Sequence, residues 1–266
     1  MRTSVRMNNL AIEWSWLDRG ATLIAGTDEV GRGAWAGPVV AGMVAVPPAL
    51  YQSLPLDLHG IDDSKLLSPK QRLALAPHIE AHVAAWGLGA ATSREIASAG
   101  FGTAVRLAIR RAYSDLAAKL RRAPDILLTD AVRIPDAPIP AESYNKADQR
   151  CLSVAMASIL AKVHRDRLMR RFNPIYPGYD FANNKGYGTR KHQEALFHLG
   201  PCAIHRRSFR PVIHAAAALL PDTQSTYNPT EAPVASRKPV VPNRDCAAIV
   251  ASPAQDKKNL QRITAQ

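Results

Sequence analysis

Between Leu23 and Val46 the chain runs apolar, turns through glycines and runs apolar again, and this stretch constrains the fold more than any other. Residues 22–29 read as one strand and residues 37–46 as a second, closed by Pro47-Pro48. The link at residues 31–37 is too short for a crossover helix, so the two strands are expected to pair antiparallel. The first ends in Thr27-Asp28-Glu29-Val30 and passes directly into Gly31-Arg32-Gly33. Adjacent carboxylates can hold a hard cation through oxygen, and a glycine turn can bring backbone amides close to a phosphate.

The rest of the chain continues an α/β pattern. Ser68-Pro69 opens a helix expected to run to about Ala85, with Ser68 as N-cap. Residues 85–91 read as a third strand, weakened by its glycines. A helix is expected from Gly102 to Leu120, with Val105, Ala108, Ile109, Ala112 and Leu116 on its apolar face. Residues 124–130 form a short buried strand ending in Asp130, and a long helix is expected from about Asp148 to Phe172. An antiparallel start sets this order apart from the strict alternation of a doubly wound sheet.

Charge narrows the class of partner. The chain of 266 residues carries a formal net charge of +12. Residues 146–210 hold 13 Lys+Arg against 4 Asp+Glu, so +9 of that excess lies in one region. Such asymmetry favours a phosphate-bearing partner over a merely solvated basic face. Three cysteines without short spacings argue against both a disulfide framework and a zinc site. With no long apolar run and no signal-like N-terminus, the expectation is a cytoplasmic protein without membrane contact. Residues 216–266 are rich in proline and are expected to form a disordered tail.

Four acids stand where side chains can converge. Asp28 and Glu29 lie at one strand end, Asp130 at another, and Asp148 at the start of a helix. Phosphodiester hydrolysis needs a positioned water and charge compensation at phosphorus, which carboxylates holding two magnesium ions can supply. Each acid has a plainer reading: Asp148 as a helix cap, Asp130 as a turn residue. Asp28 and Glu29 point to opposite faces of a regular strand, and share a site only if the strand ends or bulges there.

The motifs, taken in order, resemble ribonuclease HII, the type 2 ribonuclease H family. They are Asp28-Glu29-Val30-Gly31-Arg32-Gly33 with Ala36-Gly37-Pro38-Val39; Asp63-Ser64-Lys65; Leu127-Leu128-Thr129-Asp130; Lys146-Ala147-Asp148; Ala157-Ser158-Ile159-Leu160-Ala161-Lys162-Val163 with Arg165-Asp166; Lys185-Gly186-Tyr187; and His205-Arg206-Arg207-Ser208-Phe209. The likeness spans residues 20–212.

That resemblance implies an α/β ribonuclease H-like fold with a mixed five-stranded sheet, flanking helices and a helical C-terminal part. It places a catalytic domain at residues 21–215, after an N-terminal extension of residues 1–20. It implies catalytic metal ligation by Asp28, Glu29, Asp130 and Asp148, with two Mg²⁺ or Mn²⁺ ions at catalysis. Gly31, Arg32, Gly33 and Tyr187 would recognise the ribonucleotide, and Lys65 would bind substrate beside the site. Telling RNA from DNA requires contact with a 2′-hydroxyl. Lys146, Arg165, Lys185, Arg206 and Arg207 are candidate phosphate contacts. Arg206 and Arg207 are equally open to a structural ion pair. The spacing around Ser158 and Lys162 reads as core packing with a solvent edge.

The implied activity is hydrolysis of the RNA strand of RNA–DNA hybrids, with incision 5′ to ribonucleotides embedded in duplex DNA. The ends left would be 3′-hydroxyl and 5′-phosphate; for oligomeric state, which the sequence leaves open, a monomer is the default expectation. Ala34-Trp35 stand where the family often has proline, Ala147 where it commonly has glycine, and Gly100 where asparagine is common. A branched-DNA nuclease of the same fold and a non-catalytic nucleic-acid binder are the competing readings; dependence on a 2′-hydroxyl and on a divalent cation separates them.

Overall fold

The computed structural model describes residues 10–61 and 67–218. Lys65 and the tail beyond residue 218 lie outside them. The chain divides into two compact units, one of Met1–Arg32, Val39–Ala91 and Gly102–Arg165, the other of Gly33–Pro38, Thr92–Phe101 and Asp166–Gln266.

The first unit is built on a mixed sheet. Its strands are β1 (Ile24–Val30), β2 (Val39–Val46), β3 (Ala85–Ala91), β4 (Ile126–Asp130) and β5 (Ala141–Tyr144), in the order β3-β2-β1-β4-β5. β1 and β2 pair antiparallel, as the short link requires, and β3 adds antiparallel to β2. β4 joins the other side of β1 in parallel, and β5 joins β4 in parallel. β2 is buried along its whole length, which fits its unbroken apolar run.

Helices of this unit are α1 (Ala11–Asp18), α2 (Pro48–Gln52), α3 (Pro69–His82), α5 (Phe101–Ala117, in this unit from Gly102) and α6 (Leu152–Phe172, in this unit to Arg165). Ser68 caps α3 through a capping box with Gln71, and Pro69 occupies the first turn. The close seat of α6 on the sheet depends on glycine. A Cβ at Gly42 would collide with the carbonyl oxygen of Ala157, so only a bare backbone lets α6 approach β2 this closely. Val154, Met156, Ala157, Ile159 and Ala161 are fully buried along α6. Burying one large apolar side chain contributes about 1.5–3 kcal/mol, so this helix is a main source of core stability.

The structure moves the boundary that bears on Asp148. Residues 147–149 form a 3-10 turn, entered through Lys146 in a left-handed conformation (φ 55°), and α6 begins only at Leu152. Asp148 is therefore in a turn before the helix rather than at its first residue. Part of the N-terminal extension is built into the interior: Ile12 and Glu13 of α1 are buried, and Leu10, Trp16 and Leu17 pack against the core.

The second unit holds α4 (Ser93–Ala99), α7 (Phe181–Asn184), α8 (Arg190–Leu199) and α9 (Arg210–Ala217). Thr92 caps α4 in a capping box with Glu95, and Thr189 caps α8. Tyr179 and Phe181 stack at 5.3 Å, and His192 and His205 pack edge-on or tilted against them. Among the described residues no helix is long and apolar enough to cross a membrane.

Candidate functional site

Strand register brings two of the acids together. The parallel ladder of β1 and β4 pairs Thr27 with Thr129, so the next step sets Asp28 beside Asp130 on the same face of the sheet. The amide of Ala147 donates to Oδ1 of Asp130 at 2.9 Å, which fastens the turn carrying Asp148 to the end of β4. Asp148 is 1% exposed and Asp28 8% exposed.

α6 supplies the neighbours of Asp28. The face of β1 that carries Asp28 is also the face on which α6 sits, because Gly42, the β2 partner of Asp28, abuts Ala157. Ser158 and Lys162, one helical turn apart, are joined by a 2.7 Å hydrogen bond from Nζ to Oγ. Ser158 also hydrogen-bonds the Asp28 carboxyl, and the Lys162 ammonium favours its charged form. These two residues belong to the site, although their spacing reads as core packing. What the sequence does carry is a hydroxyl and an ammonium four residues apart inside an apolar helix.

The electrostatics follow from crowding acids in a dry place. Burial pushes the Asp28 carboxyl up to about 6, with the charges of Asp130 and Asp148 acting in the same direction. Burial likewise pushes Glu29 up to about 7, helped by Asp28 and Asp130 and opposed by Arg32. Glu29 accepts a 2.6 Å ion-paired hydrogen bond from Arg32; its side chain is 4% exposed, against 60% for Arg32. Among the described residues no three acidic, histidine or cysteine side chains converge on one point. Asp28 feels the charges of Asp130 and Asp148, and Glu29 those of Asp28 and Asp130. An all-oxygen acidic set in which burial, aided by neighbouring carboxylate charge, raises Asp28 and Glu29 fits a hard divalent cation, which would offset that cost.

Beneath the Gly-Arg-Gly turn lies Arg165. It is fully buried, and a Cβ at Gly31, whose φ is +94°, would collide with its guanidinium. Arg165 thus supports the turn from inside; the structure departs here from the expectation of a phosphate contact. Arg206 departs in the same way. It is fully buried, its Nε donates to the Gly37 carbonyl at 3.0 Å, and its guanidinium lies over the rings of Phe101 and Phe209. Its backbone amide donates to Trp35 at 2.8 Å, so Arg206 braces the 33–38 segment.

Other expected residues keep their availability. Arg32, Gly33, Lys146 and Arg207 are exposed, and Lys185 is half-buried with its ammonium on the Ala182 carbonyl. Tyr187 is 38% exposed, at the end of a segment tied down through Asn184. Trp35 packs against His192 with ring centroids 5.7 Å apart. Asp28, Glu29, Arg32, Asp130, Lys146, Asp148 and Arg165 belong to the first unit; Gly33, Lys185, Tyr187, Arg206 and Arg207 belong to the second.

The family model for Ribonuclease HII matches residues 25–212. A ribonuclease HII of Thermus thermophilus is 48% identical over 197 residues, 74% of this chain and 91% of the relative. This chain belongs to the ribonuclease HII family. Ribonuclease HII of Roseiflexus castenholzii is 46% identical over 199 residues, covering 75% of this chain and 87% of that one. The solved ribonuclease H2 of Pyrococcus horikoshii shares the fold, with a TM-score of 0.61 at 23% identity over 73% of this chain and 97% of that chain. A ribonuclease HIII solved in complex with Mn²⁺ superposes with a TM-score of 0.54 at 19% identity, over 75% of this chain and 71% of that one. The ribonuclease H-like fold implied by the sequence is therefore present, with its mixed five-stranded sheet. The carboxylate-bearing strands and the 3-10 turn fall inside the span matched to ribonuclease HII.

Proposed function

We propose that this chain is a hydrolytic endoribonuclease that cleaves the RNA strand of RNA–DNA hybrids and incises duplex DNA 5′ to embedded ribonucleotides, leaving 3′-hydroxyl and 5′-phosphate ends. Membership of the ribonuclease HII family is the observation that carries this reading. The buried acidic cluster gives it a chemical basis. Asp28, Asp130, Glu29 and Asp148 would hold Mg²⁺ or Mn²⁺; when bound, such ions supply an acidified water and charge compensation at the scissile phosphate.

The chain's own groups do the rest. Ser158 and Lys162 keep Asp28 oriented and favour its ionised form. Asp130 holds the turn that presents Asp148. Gly31 and Arg32, which follow the acids of β1 in sequence, and Gly33 would offer backbone amides and a cation to the ribonucleotide, and Tyr187 a ring to stack on its sugar or base. Lys146 and Arg207 are exposed cations for duplex phosphates; Lys185 and Lys65 have the same proposed role. The partner is one hybrid or ribonucleotide-containing duplex, bound by a monomer in the cytoplasm.

The test is cleavage of a labelled DNA duplex holding one ribonucleotide, with Mg²⁺ or Mn²⁺, beside an all-DNA duplex and an Asp28→Asn variant. A single cut 5′ to the ribonucleotide, absent from both controls, supports the reading. Equal cutting of the all-DNA duplex overturns it.

A further inference from the structure

Two buried histidines of the second unit are unused by the chemistry above, and their hydrogen bonds leave one consistent arrangement of protons. His192 is 0% and His205 2% exposed. At one end of the pair the backbone amide of Cys202 donates to Nδ1 of His205 at 2.9 Å. An amide can only donate, so this Nδ1 is an acceptor and the His205 proton sits on Nε2. Nε2 of His205 lies 3.1 Å from Nε2 of His192. Nε2 of His192 therefore accepts, and its own proton sits on Nδ1. That nitrogen lies 2.9 Å from the carbonyl oxygen of Tyr187, which can only accept. Both ends of the relay are backbone groups of fixed polarity, and every link between them is satisfied in that single direction.

The surroundings keep both rings neutral. Burial lowers the pKa of His192, and burial together with the neighbouring His192 holds His205 down at about 3. A proton added to either ring would set two N–H groups against each other or against an amide. The thiol of Cys202 lies 3.1 Å from Nδ1 of His205, on the side of that ring away from His192, so thiol and second imidazole do not converge as metal ligands.

What the relay ends on is the point of interest. The Tyr187 side chain is 38% exposed, and both polar groups of its backbone are held. The Tyr187 amide donates to the Asn184 carbonyl at 2.9 Å, and its carbonyl accepts from the Thr189 amide at 2.8 Å as well as from His192. We propose that His205 and His192 form a directed relay of neutral imidazoles that anchors the Tyr187 backbone, making both of them positioning residues for recognition of the ribonucleotide. This rests on the reading that Tyr187 touches the substrate.

Two measurements test it. ¹⁵N NMR of the full-length protein at neutral pH should show His192 as the Nδ1–H tautomer and His205 as the Nε2–H tautomer; the opposite tautomers, or a charged ring, would overturn the relay. In steady-state cleavage of a single-ribonucleotide duplex, His192→Leu should raise KM by roughly tenfold or more with a smaller change in kcat, since misplacement of about 1 Å can cost up to ~100-fold. His192→Asn, whose side-chain amide nitrogen takes the place of Nδ1, should recover most of that loss. In a Tyr187→Ala background, His192→Leu should add nothing further.

Failure of Asn to rescue, or full additivity of the two substitutions, would overturn the positioning role. If Tyr187→Ala alone leaves kcat/KM unchanged, the reading of Tyr187 is lost and the positioning role with it, while the tautomers still report on the relay. If His192→Leu does not fold, the Asn variant and the NMR spectrum decide.

Discussion

Oε1 of Glu13 accepts hydrogen bonds from both the backbone amide and the hydroxyl of Ser153, at 3.1 and 3.0 Å, across 140 residues of sequence. Ser153 is the second residue of α6, so its amide is one of the four that a helix cannot satisfy internally. A residue of the N-terminal helix thus caps the helix that carries Ser158 and Lys162.

That carboxyl makes stability depend on pH. Burial pushes Glu13 up to about 7 from a usual value of 4.5. The folded state holds the proton more tightly, so this stabilisation is complete below pH 4.5 and is lost as pH rises through 7. A shift of this size corresponds to roughly 3 kcal/mol at full extent. Glu13→Gln keeps the acceptor and removes the titration. Chemical denaturation should find the variant more stable than wild type at pH 8 and nearly equal to it at pH 4.5. Equal stability at both pH values would show that Glu13 stays charged without cost.

With Asp28 in its proposed role as a metal ligand, Asp28→Asn should lower kcat by at least about a hundredfold, because losing the ligand would remove several kcal/mol of charge stabilisation. Duplex affinity in the presence of Ca²⁺ should stay within threefold by fluorescence anisotropy, on the order of 0.7 kcal/mol. Loss of binding together with turnover would mean that Asp28 holds the fold rather than the metal.

Gly31→Ala tests the turn. A side chain there must adopt a φ of +94° and displace the buried Arg165 guanidinium. Backbone strain alone costs about 1–3 kcal/mol. A fall in Tm with a rise in KM is the expected pair of effects; an unchanged Tm would mean that the turn relaxes freely.

Arg206 and Arg207 are neighbours with opposite expected behaviour. Arg206→Lys loses the fork that reaches Gly37 and the stacking on Phe209, so stability should fall by about 1–3 kcal/mol while the salt dependence of binding stays as it was. Arg207→Ala should leave stability nearly unchanged and reduce the slope of log K against log salt by about 1 if it contacts a phosphate. Reversed outcomes would exchange their roles.

What the sequence made legible was whatever local chemistry decides. The short glycine link forced the antiparallel β1–β2 pair, and Ser68-Pro69 marked the start of α3 before Gln71 was known to close its capping box. Asp28, Glu29 and Asp130 were legible as acids near strand ends, while Asp148 read as a helix start and lies in a turn before the helix. Features decided by distant chain were not. Gly87 and Gly89 made β3 read as weak, yet in the structure they clear space for the backbone of α5 at Ala112 and Ala108. β5 is only four residues long, with alternating exposed and half-buried positions and no apolar run to reveal it. Lys146 takes up the left-handed backbone that delays α6, which no periodicity predicts. Ser158 and Lys162 looked like packing because only the fold brings Asp28 alongside them, and His192 is one polar residue in an amphipathic helix until His205 arrives from another segment.

The pairing of β1 with β4 has a consequence for how this chain can change. Neighbouring strands lie about 4.8 Å apart where a ladder is intact, and Asp28 and Asp130 stand one step beyond the Thr27–Thr129 pair, so the sheet sets their approach more than any loop does. Main-chain pairing of β1 with β4 thereby holds the approach of Asp28 to Asp130 through any side-chain change that keeps the backbone amides, whereas Asp148 depends on a turn of its own.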